Sequence, residues 1–368
     1  MADSGRERDA YTYFVGCVSP RFKGKREKRS PIPYLPTNCL PPPLMRFCGA
    51  DLTIRSIASK TRHMDLTLSR HDCCLEHLVH CQLENGGWPF HPGGTQAAIE
   101  PTALALLALP PEFTQERNSA IRFLLEIQNA NGSWPAFQGD DSGGSGFTGL
   151  AVHALQKSGA TGPAIDRTLR WLLRSQGWEA HWLWRWKFRT TDRHVRFDPD
   201  KFGWPWMPET VSWVVPTAYS LLALTRREVT SQRDLAEQRR RLGVEMLFDR
   251  MCPGGGWNAG NGVVFETALA AHPDVTAVAL LALSTEPMNG PISASLEWLK
   301  NRAETCRSPW SLGWTILAFH RYHIPVQRWT DILCSVVDPV GIRDCATLAA
   351  VCLALRCLVV TDVFGTKL

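Results

Sequence analysis

Two acidic residues stand at the same place in a repeated segment, where a carboxylic acid could donate a proton. Glu100 and Asp274 each lie two residues before a Thr-Ala pair that opens an apolar run. Such an acid can donate a proton near neutral pH when burial or a like charge keeps it protonated. The start of a helix favours the ionised form, so burial has to dominate. The simpler alternative is that both acids only cap helices.

Aromatic and basic side chains alternate between residues 178 and 213. Aromatic faces could stabilise a passing carbocation, as they do other cations, and the basic residues could hold a diphosphate. A long insertion of this kind is a natural lid or cavity wall, although its aromatics could instead form a small core of their own. The candidate substrate contacts are Trp182, Trp186, Trp204, Trp206 and Trp213, with Tyr219 from the apolar run that follows.

The adjacent acids Asp140 and Asp141 are a further pair of candidate substrate-binding residues. They lie in a stretch rich in Gly and Ser, which predicts a loop. Acids in such a loop commonly form turns or stay solvated, and this is the alternative interpretation of the pair.

The elements that must position these residues also repeat. The segment Glu100–Leu109 returns as Val215–Leu224 and Asp274–Leu283, and weaker copies end at Leu155, Phe319 and Leu355. Each copy is apolar on nearly every side, as in a helix buried all round, and most follow a more amphipathic helix. Six pairs predict an all-α fold, an α6/α6 toroid with six helices in each of two concentric rings. An open solenoid of hairpins is the alternative, but both terminal copies are as apolar as the others.

The loops that lead into the apolar helices repeat as well. Gln82–Trp88 and Gln128–Trp134 share the pattern Gln-x-x-Asn-Gly-x-Trp, Arg250–Trp257 is a degenerate copy and Gln176–Trp178 a trace. Gly after a helix supplies the left-handed backbone conformation that ends it. We expect the Trp to fold back over the helix end and the Gln amide to bond to exposed backbone groups.

With these repeats the chain resembles the squalene cyclase and terpene cyclase superfamily over roughly residues 70–358. The resemblance implies acid-initiated cyclisation or isomerisation of an isoprenoid or related hydrophobic small molecule, without a metal or other cofactor. The acidic motif of triterpene cyclases matches His272–Ala277, which implies Asp274 as the proton donor and places His272 or its neighbour at the motif's first acid. Glu100 occupies the equivalent place in its own repeat, so the candidate catalytic residues are Asp274, Glu100 and His272.

Three alternatives stay open beside a cyclase. The toroid could be non-catalytic and bind a lipid or a protein partner, and a second chain could complete the site. It could also resemble protein prenyltransferase β subunits, which share the toroid and use zinc, or act on sugars through Glu100 and Asp274. The zinc candidates are Asp344, Cys345, His320 and His323, although their spacing does not match the family pattern.

The first 63 residues differ from the rest in charge and composition. They hold 12 Lys and Arg against 5 Asp and Glu, which leaves 28 against 30 for the remainder, and argues against nucleic-acid binding by the folded body. We predict a disordered, basic and Pro-rich arm over 1–63 and the toroid over 64–368, with Met64 as an alternative start. Twelve Cys without paired metal-ligand spacing indicate reduced thiols in the cytoplasm. No apolar run could span a membrane; peripheral membrane contact stays open.

Overall fold

The computed structural model describes residues 67–191, 194–225 and 232–358, all of which belong to one compact unit. Helices dominate these residues, as an all-α fold requires. The arm predicted for 1–63 and the alternative start at Met64 fall outside the described residues. No helix described is long and apolar enough to cross a bilayer.

Thirteen helices are described. In chain order they are α1 (67–80 in its described part), α2 (Ile99–Ala108), α3 (Thr114–Glu126), α4 (Thr148–Lys157), α5 (Pro163–Arg174), α6 (Trp182–Thr190), α7 (Val214–Leu224), α8 (Arg233–Asp249), α9 (Pro273–Leu283), α10 (Gly290–Ala303), α11 (Pro309–Arg321), α12 (Gln327–Val336) and α13 (Cys345–Arg356). A short 3₁₀ turn, Trp178–Ala180, precedes α6. Two antiparallel pairs complete the described elements: β1 (Trp88–Pro89) with β2 (Ala97–Ala98), and β3 (Val263–Val264) with β4 (Thr267–Ala268).

The six apolar helices are α2, α4, α7, α9, α11 and α13, and they form the inner ring. Each packs against the next, and α13 packs against α2, so the chain of contacts closes on itself. This closure rules out the open solenoid, in which the first and last hairpins would not meet. The outer helices α1, α3, α5, α8, α10 and α12 each precede an inner helix, which gives six hairpins.

Small residues let the inner helices approach closely. A side chain at Gly149 on α4 would meet the backbone of Tyr219 and Ser220 on α7 at 2.6 Å, well inside contact distance. The inner helices are buried on nearly every side, whereas α5 buries Ile165, Leu169 and Leu172 on one face only. The sequence pattern of apolar and amphipathic helices therefore corresponds to inner and outer positions.

A buried Trp fastens each of four outer helices to the inner helix that follows. The indole N–H of Trp88, Trp134, Trp204 and Trp257 donates to a carbonyl near the end of the preceding outer helix (Leu78, Leu124, Leu172 and Leu247, at 2.6–2.8 Å). The backbone N–H of the same four residues donates to Thr102, Thr148, Thr217 and Thr276 near the start of the inner helices, at 2.8–3.0 Å. These four tryptophans are called the clamp tryptophans below.

The predicted Gln contacts are present in the first two loops. The Gln82 amide donates to Gly86 and to Glu116 on the next outer helix, and Gln128 makes the equivalent bonds to Gly132 and Ala164. In the third hairpin the prediction was wrong: Trp204 is the clamp, whereas Trp178 is partly exposed and stacks on Trp184 at 4.6 Å. The insertion before α7 displaces the clamp residue along the sequence.

Candidate active site

One end of the inner ring collects acidic and aromatic side chains because the inner helices begin there. Glu100, Asp274 and Trp310 are each the second residue of an inner helix, α2, α9 and α11 respectively. Asp344 stands just before α13, where its carboxylate accepts the N–H of Thr347 at 2.6 Å. The shared position of these residues in their helices places them at one level of the ring.

Glu100 reaches across the interior of the ring. The hydroxyl of Tyr219 on α7 donates to Glu100 Oε1 at 3.3 Å. Since α4 lies between α2 and α7 in the ring, this bond spans the interior rather than joining neighbouring helices. Glu100 lies deep among protein atoms yet keeps some accessible surface.

The surroundings of Glu100 favour its protonated form. Burial raises the pKa of Glu100 to about 7; the hydrogen bond from Tyr219 opposes the rise and the charge of Asp344 adds to it. Burial also raises the pKa of Tyr219 well above its usual value, and the carboxylates of Glu100 and then Asp274 add to this. Tyr219 therefore remains a hydrogen-bond donor at physiological pH, and Glu100 titrates near neutrality.

The second acid is held by an aromatic pair. The indole N–H of Trp310 donates to Asp274 Oδ2 at 3.2 Å. The rings of Trp310 and Trp314 meet edge to face at 5.5 Å, and Trp314 lies 6.2 Å from Tyr219. Together these contacts connect Asp274 to Glu100 through three aromatic side chains. The five residues Glu100, Asp274, Tyr219, Trp310 and Trp314 are called the acid–aromatic cluster.

The interior is occupied by side chains below the two acids. Tyr219 is 1% exposed and Trp314 is fully buried. Trp314 and Tyr219 belong to α11 and α7, which α9 separates, so their contact also crosses the interior. The accessible part of the cluster is therefore its upper edge, where Glu100, Asp274 and Trp310 keep partial exposure.

None of the other predicted polar residues is a member of this cluster. His272 is exposed, and its backbone N–H donates to the carbonyl of the clamp residue Trp257. Asp140 accepts from the backbone of Ala136 and from both the backbone and hydroxyl of Ser142, which is the geometry of a turn-forming acid. Asp141 is exposed.

The tryptophans of the insertion divide into three groups. Trp206 contacts Phe147 at 5.1 Å, and its carbonyl accepts the N–H of Gly146, which places it where α4 begins. Trp213 directly precedes α7. Trp204 is a clamp residue, while Trp182 and Trp186 are 72% and 59% exposed on α6. The structure thus brings Trp206 and Trp213 to the end of the ring that holds the acids.

A buried ion pair anchors the insertion. Arg250 Nη2 lies 3.5 Å from Glu179 Oε1, and both side chains are almost fully buried. Glu179 also accepts the N–H of Ser212, and the Arg250 guanidinium lies over the ring of Phe197 at 3.8 Å. Phe197 lines a cavity of about 720 Å³ together with Phe248, Asp249 and Met251. This cavity lies on the side of the insertion and α8, and none of the acid–aromatic cluster lines it.

The zinc alternative finds no support in the part of the chain that the structure describes. No three His, Cys, Asp or Glu side chains there converge as a metal ion requires. Asp344 caps α13 instead, and Cys345 is fully buried at the start of that helix. Among the described residues the structure therefore gives no support for zinc binding by Asp344, Cys345, His320 and His323.

Two members of the cluster were not among the sequence-based candidates. Trp310 follows Pro309 as Asp274 follows Pro273, so the position in the repeat could have revealed it. Trp314 lies inside a helix that is apolar on nearly every side, and no periodicity shows which of its residues face the interior.

Comparisons with known proteins were made on sequence and on structure. No protein-family model and no curated protein matches the sequence. A protein of known crystal structure from Actinoplanes is 17% identical, over 80% of this chain and 100% of that chain, with a TM-score of 0.52. The type II terpene cyclase MstE from Scytonema, in complex with its product merosterolic acid A, is 13% identical, over 81% of this chain and 98% of that chain, with a TM-score of 0.54. At these identities the likeness concerns the fold, and this chain has a terpene cyclase-like fold.

Proposed function

We propose that the protein is a terpene cyclase-like enzyme that starts the cyclisation or isomerisation of an isoprenoid or related lipid by protonating it. The observation that carries the proposal is Glu100, an acid that is hydrogen-bonded to Tyr219 across the interior of the ring. Because its pKa is raised to about 7, much of Glu100 holds a proton at neutral pH. Glu100 is thus a better-supported donor than Asp274, which the sequence motif favours.

The reaction follows from the groups in the acid–aromatic cluster. The proton of Glu100 passes to an alkene carbon or an epoxide oxygen of the substrate, and the O–H bond of the acid breaks as the new bond forms. A positive charge then develops on carbon, where the indole of Trp310, at the accessible edge of the cluster, stabilises it. Ring closure moves this charge along the substrate. Loss of a proton to the Glu100 carboxylate, or to Asp274, ends the reaction with no net gain or loss of atoms.

The fold similarity to a terpene cyclase also supports this proposal. MstE is a type II terpene cyclase with a bound product, and the match covers 98% of its chain. A type II terpene cyclase therefore needs a chain no larger than the one described here. Peripheral membrane contact, a cytoplasmic location and a second chain that completes the site remain predictions.

The test compares two acids in one assay. The purified protein is incubated with squalene, oxidosqualene and prenyl diphosphates in D₂O, and the products are analysed by mass spectrometry. We expect a cyclised or isomerised product that carries deuterium from the solvent. Glu100→Gln should lower its rate at least about 100-fold, the scale of general acid catalysis. Glu297→Gln, at an exposed site on α10, is the control and should leave the rate unchanged.

The outcomes separate the candidates. Loss of activity in Asp274→Asn but not in Glu100→Gln would identify Asp274, rather than Glu100, as the proton donor. A lipid that binds the parent protein but is recovered unchanged would favour a non-catalytic binding toroid. That second function is supported by the buried Tyr219 and Trp314, which occupy the interior below the acids. No turnover and no binding with all three substrate classes would contradict both proposals.

A further inference from the structure

A groove lined by three arginines lies between the second and third hairpins of the ring. Its volume is about 590 Å³, and the outer helix α5 lines it with Arg167, Arg170, Trp171 and Arg174. The other walls come from the loops that follow α3 and α5 and from the loop before α7. None of the acid–aromatic cluster lines this groove, which is called the arginine groove below.

The three arginines lie on one face of α5. Residues three, four and seven positions apart share a helix face, and Arg167 and Arg174 are separated by about 10 Å of helical rise. Glu209 is the one acid among the described residues that line the groove. Arg170 and Arg174 are exposed, and neither side chain forms an ion pair or hydrogen bond with a residue that the structure describes. Their positive charges are therefore available to a ligand.

Neighbouring residues hold one end and one wall of the groove in place. Arg167 donates to Oε1 of Gln128 at 2.7 Å, which fixes its guanidinium group. Gly144 lets the loop before α4 lie against Trp171, since a side chain at this position would come within 2.7 Å of the indole. A ligand therefore enters a groove whose walls need little reordering, which lowers the entropic cost of binding.

The carbonyl end of a helix ordinarily repels an anion, and the groove reaches the end of α5. Here the carbonyl of Leu172 accepts the indole N–H of Trp204 at 2.8 Å. The carbonyl of Ser175, just after the helix, accepts the guanidinium group of Arg239 at 2.7 Å. These bonds occupy carbonyl groups that would otherwise oppose the arginines.

We propose that the arginine groove binds a ligand that carries two or more phosphate groups. A guanidinium group binds phosphate oxygens through paired, charge-assisted N–H donors. The row of arginines is longer than a single phosphate group, so it fits linked or neighbouring phosphates. Such phosphates can be free in solution or belong to a lipid headgroup. The proposal does not depend on the proposed function, because the groove is separate from the acids and its test measures binding alone.

The first arm of the test uses sodium pyrophosphate, the full chain and isothermal titration calorimetry. We expect saturable binding that weakens as the salt concentration rises. Arg170→Gln and Arg174→Gln should each weaken it at least about 10-fold, because each removes charge-assisted hydrogen bonds. Arg302→Gln is the matched control: it removes the same charge from an exposed site on the outer helix α10 and should bind as the parent does.

Glu209→Gln gives a readout in the opposite direction. The substitution removes the negative charge that lines the groove, so pyrophosphate should bind more tightly than it does to the parent. Weaker binding would contradict the proposal, because it would mean that Glu209 supports the ligand rather than repels it.

The second arm distinguishes the two sources of phosphate. The same proteins are sedimented with phosphatidylcholine vesicles that contain or lack phosphatidylinositol bisphosphate. Binding that depends on Arg170 and Arg174 in either arm supports the proposal, and in the second arm alone it places the phosphates in a lipid headgroup. Binding that survives both arginine substitutions, no binding in either arm, or citrate bound as tightly as pyrophosphate would overturn it.

Discussion

At the scale of single residues, Glu100 is distinguished by its surroundings rather than by its place in the repeat. Asp274 occupies the equivalent place in α9, yet only Glu100 accepts the hydroxyl of Tyr219 across the ring. Burial acts on the charged form of an acid, so the same residue type at the same position can serve different roles. The two acids should therefore be tested separately.

The free energy of unfolding should depend on whether Glu100 is protonated. The pKa of Glu100 rises on folding from 4.5 to about 7, so the folded protein binds this proton more tightly than the unfolded chain does. The stability that it contributes is full below the lower value and is lost as the pH rises through about 7. Glu100→Gln should remove this dependence, so that between about pH 5 and about pH 8 the variant gains up to about 3 kcal/mol relative to the parent.

Chemical denaturation at a series of pH values measures this difference. The matched control is Glu297→Gln, whose free energy of unfolding should follow that of the parent at every pH. Parallel curves for Glu100→Gln and the parent would mean that Glu100 is as easily ionised in the folded protein as in the unfolded chain.

At the scale of elements, the clamp tryptophans connect the outer ring to the inner ring. Each uses both of its N–H groups, the indole towards the outer helix and the backbone towards the inner helix. The Gly residues before Trp88 and Trp134 turn the chain so that both bonds form, and Gly86 and Gly132 have positive φ angles of 91° and 94°. The loop is therefore as much a part of each repeat as the helices are.

Trp204→Phe tests whether the third clamp is structural. The substitution keeps a buried aromatic ring but removes the indole N–H, which leaves the carbonyl of Leu172 unsatisfied. We expect the free energy of unfolding to fall by about 1–3 kcal/mol. Trp182→Phe, at a site that is 72% exposed, should change it by less than about 0.5 kcal/mol. Equal stability of both variants in denaturant titrations would show that Trp204 does not act as a clamp.

The same elements show how far the sequence could predict the structure. The repeated apolar segments predicted the inner helices because a helix buried on all sides is apolar on nearly every side. The third clamp was misplaced because an insertion separates Trp204 from the end of its outer helix. The contact between Tyr219 and Trp314 could not be predicted at all, since it joins two helices that are not neighbours in the ring.

At the scale of the whole molecule, the seam between α13 and α2 closes the inner ring. Arg356 on α13 donates to the carbonyls of Ala108 and Leu107 at the end of α2, at 2.8 Å and 3.4 Å. These carbonyls have no partner within their own helix. Arg356, in the last hairpin, therefore donates hydrogen bonds to the free carbonyls at the end of α2, in the first hairpin.

Arg356→Met tests the contribution of this contact to closure. The substitution keeps an apolar stem of similar length but removes the donors, so the free energy of unfolding should fall by about 1.5–3 kcal/mol. Arg302→Met, at an exposed position on the outer helix α10, should have little effect. Equilibrium unfolding followed by circular dichroism measures both, and an unaffected Arg356→Met protein would contradict a role for this residue at the seam.

A closed ring of contacts has no free end from which to fray. In a linear array of repeats a terminal unit can detach at the cost of one interface, whereas removal of any hairpin here breaks two. Partial unfolding is correspondingly disfavoured, and the inner helices should lose their protection against hydrogen exchange together, in one cooperative step rather than in sequence from a terminus.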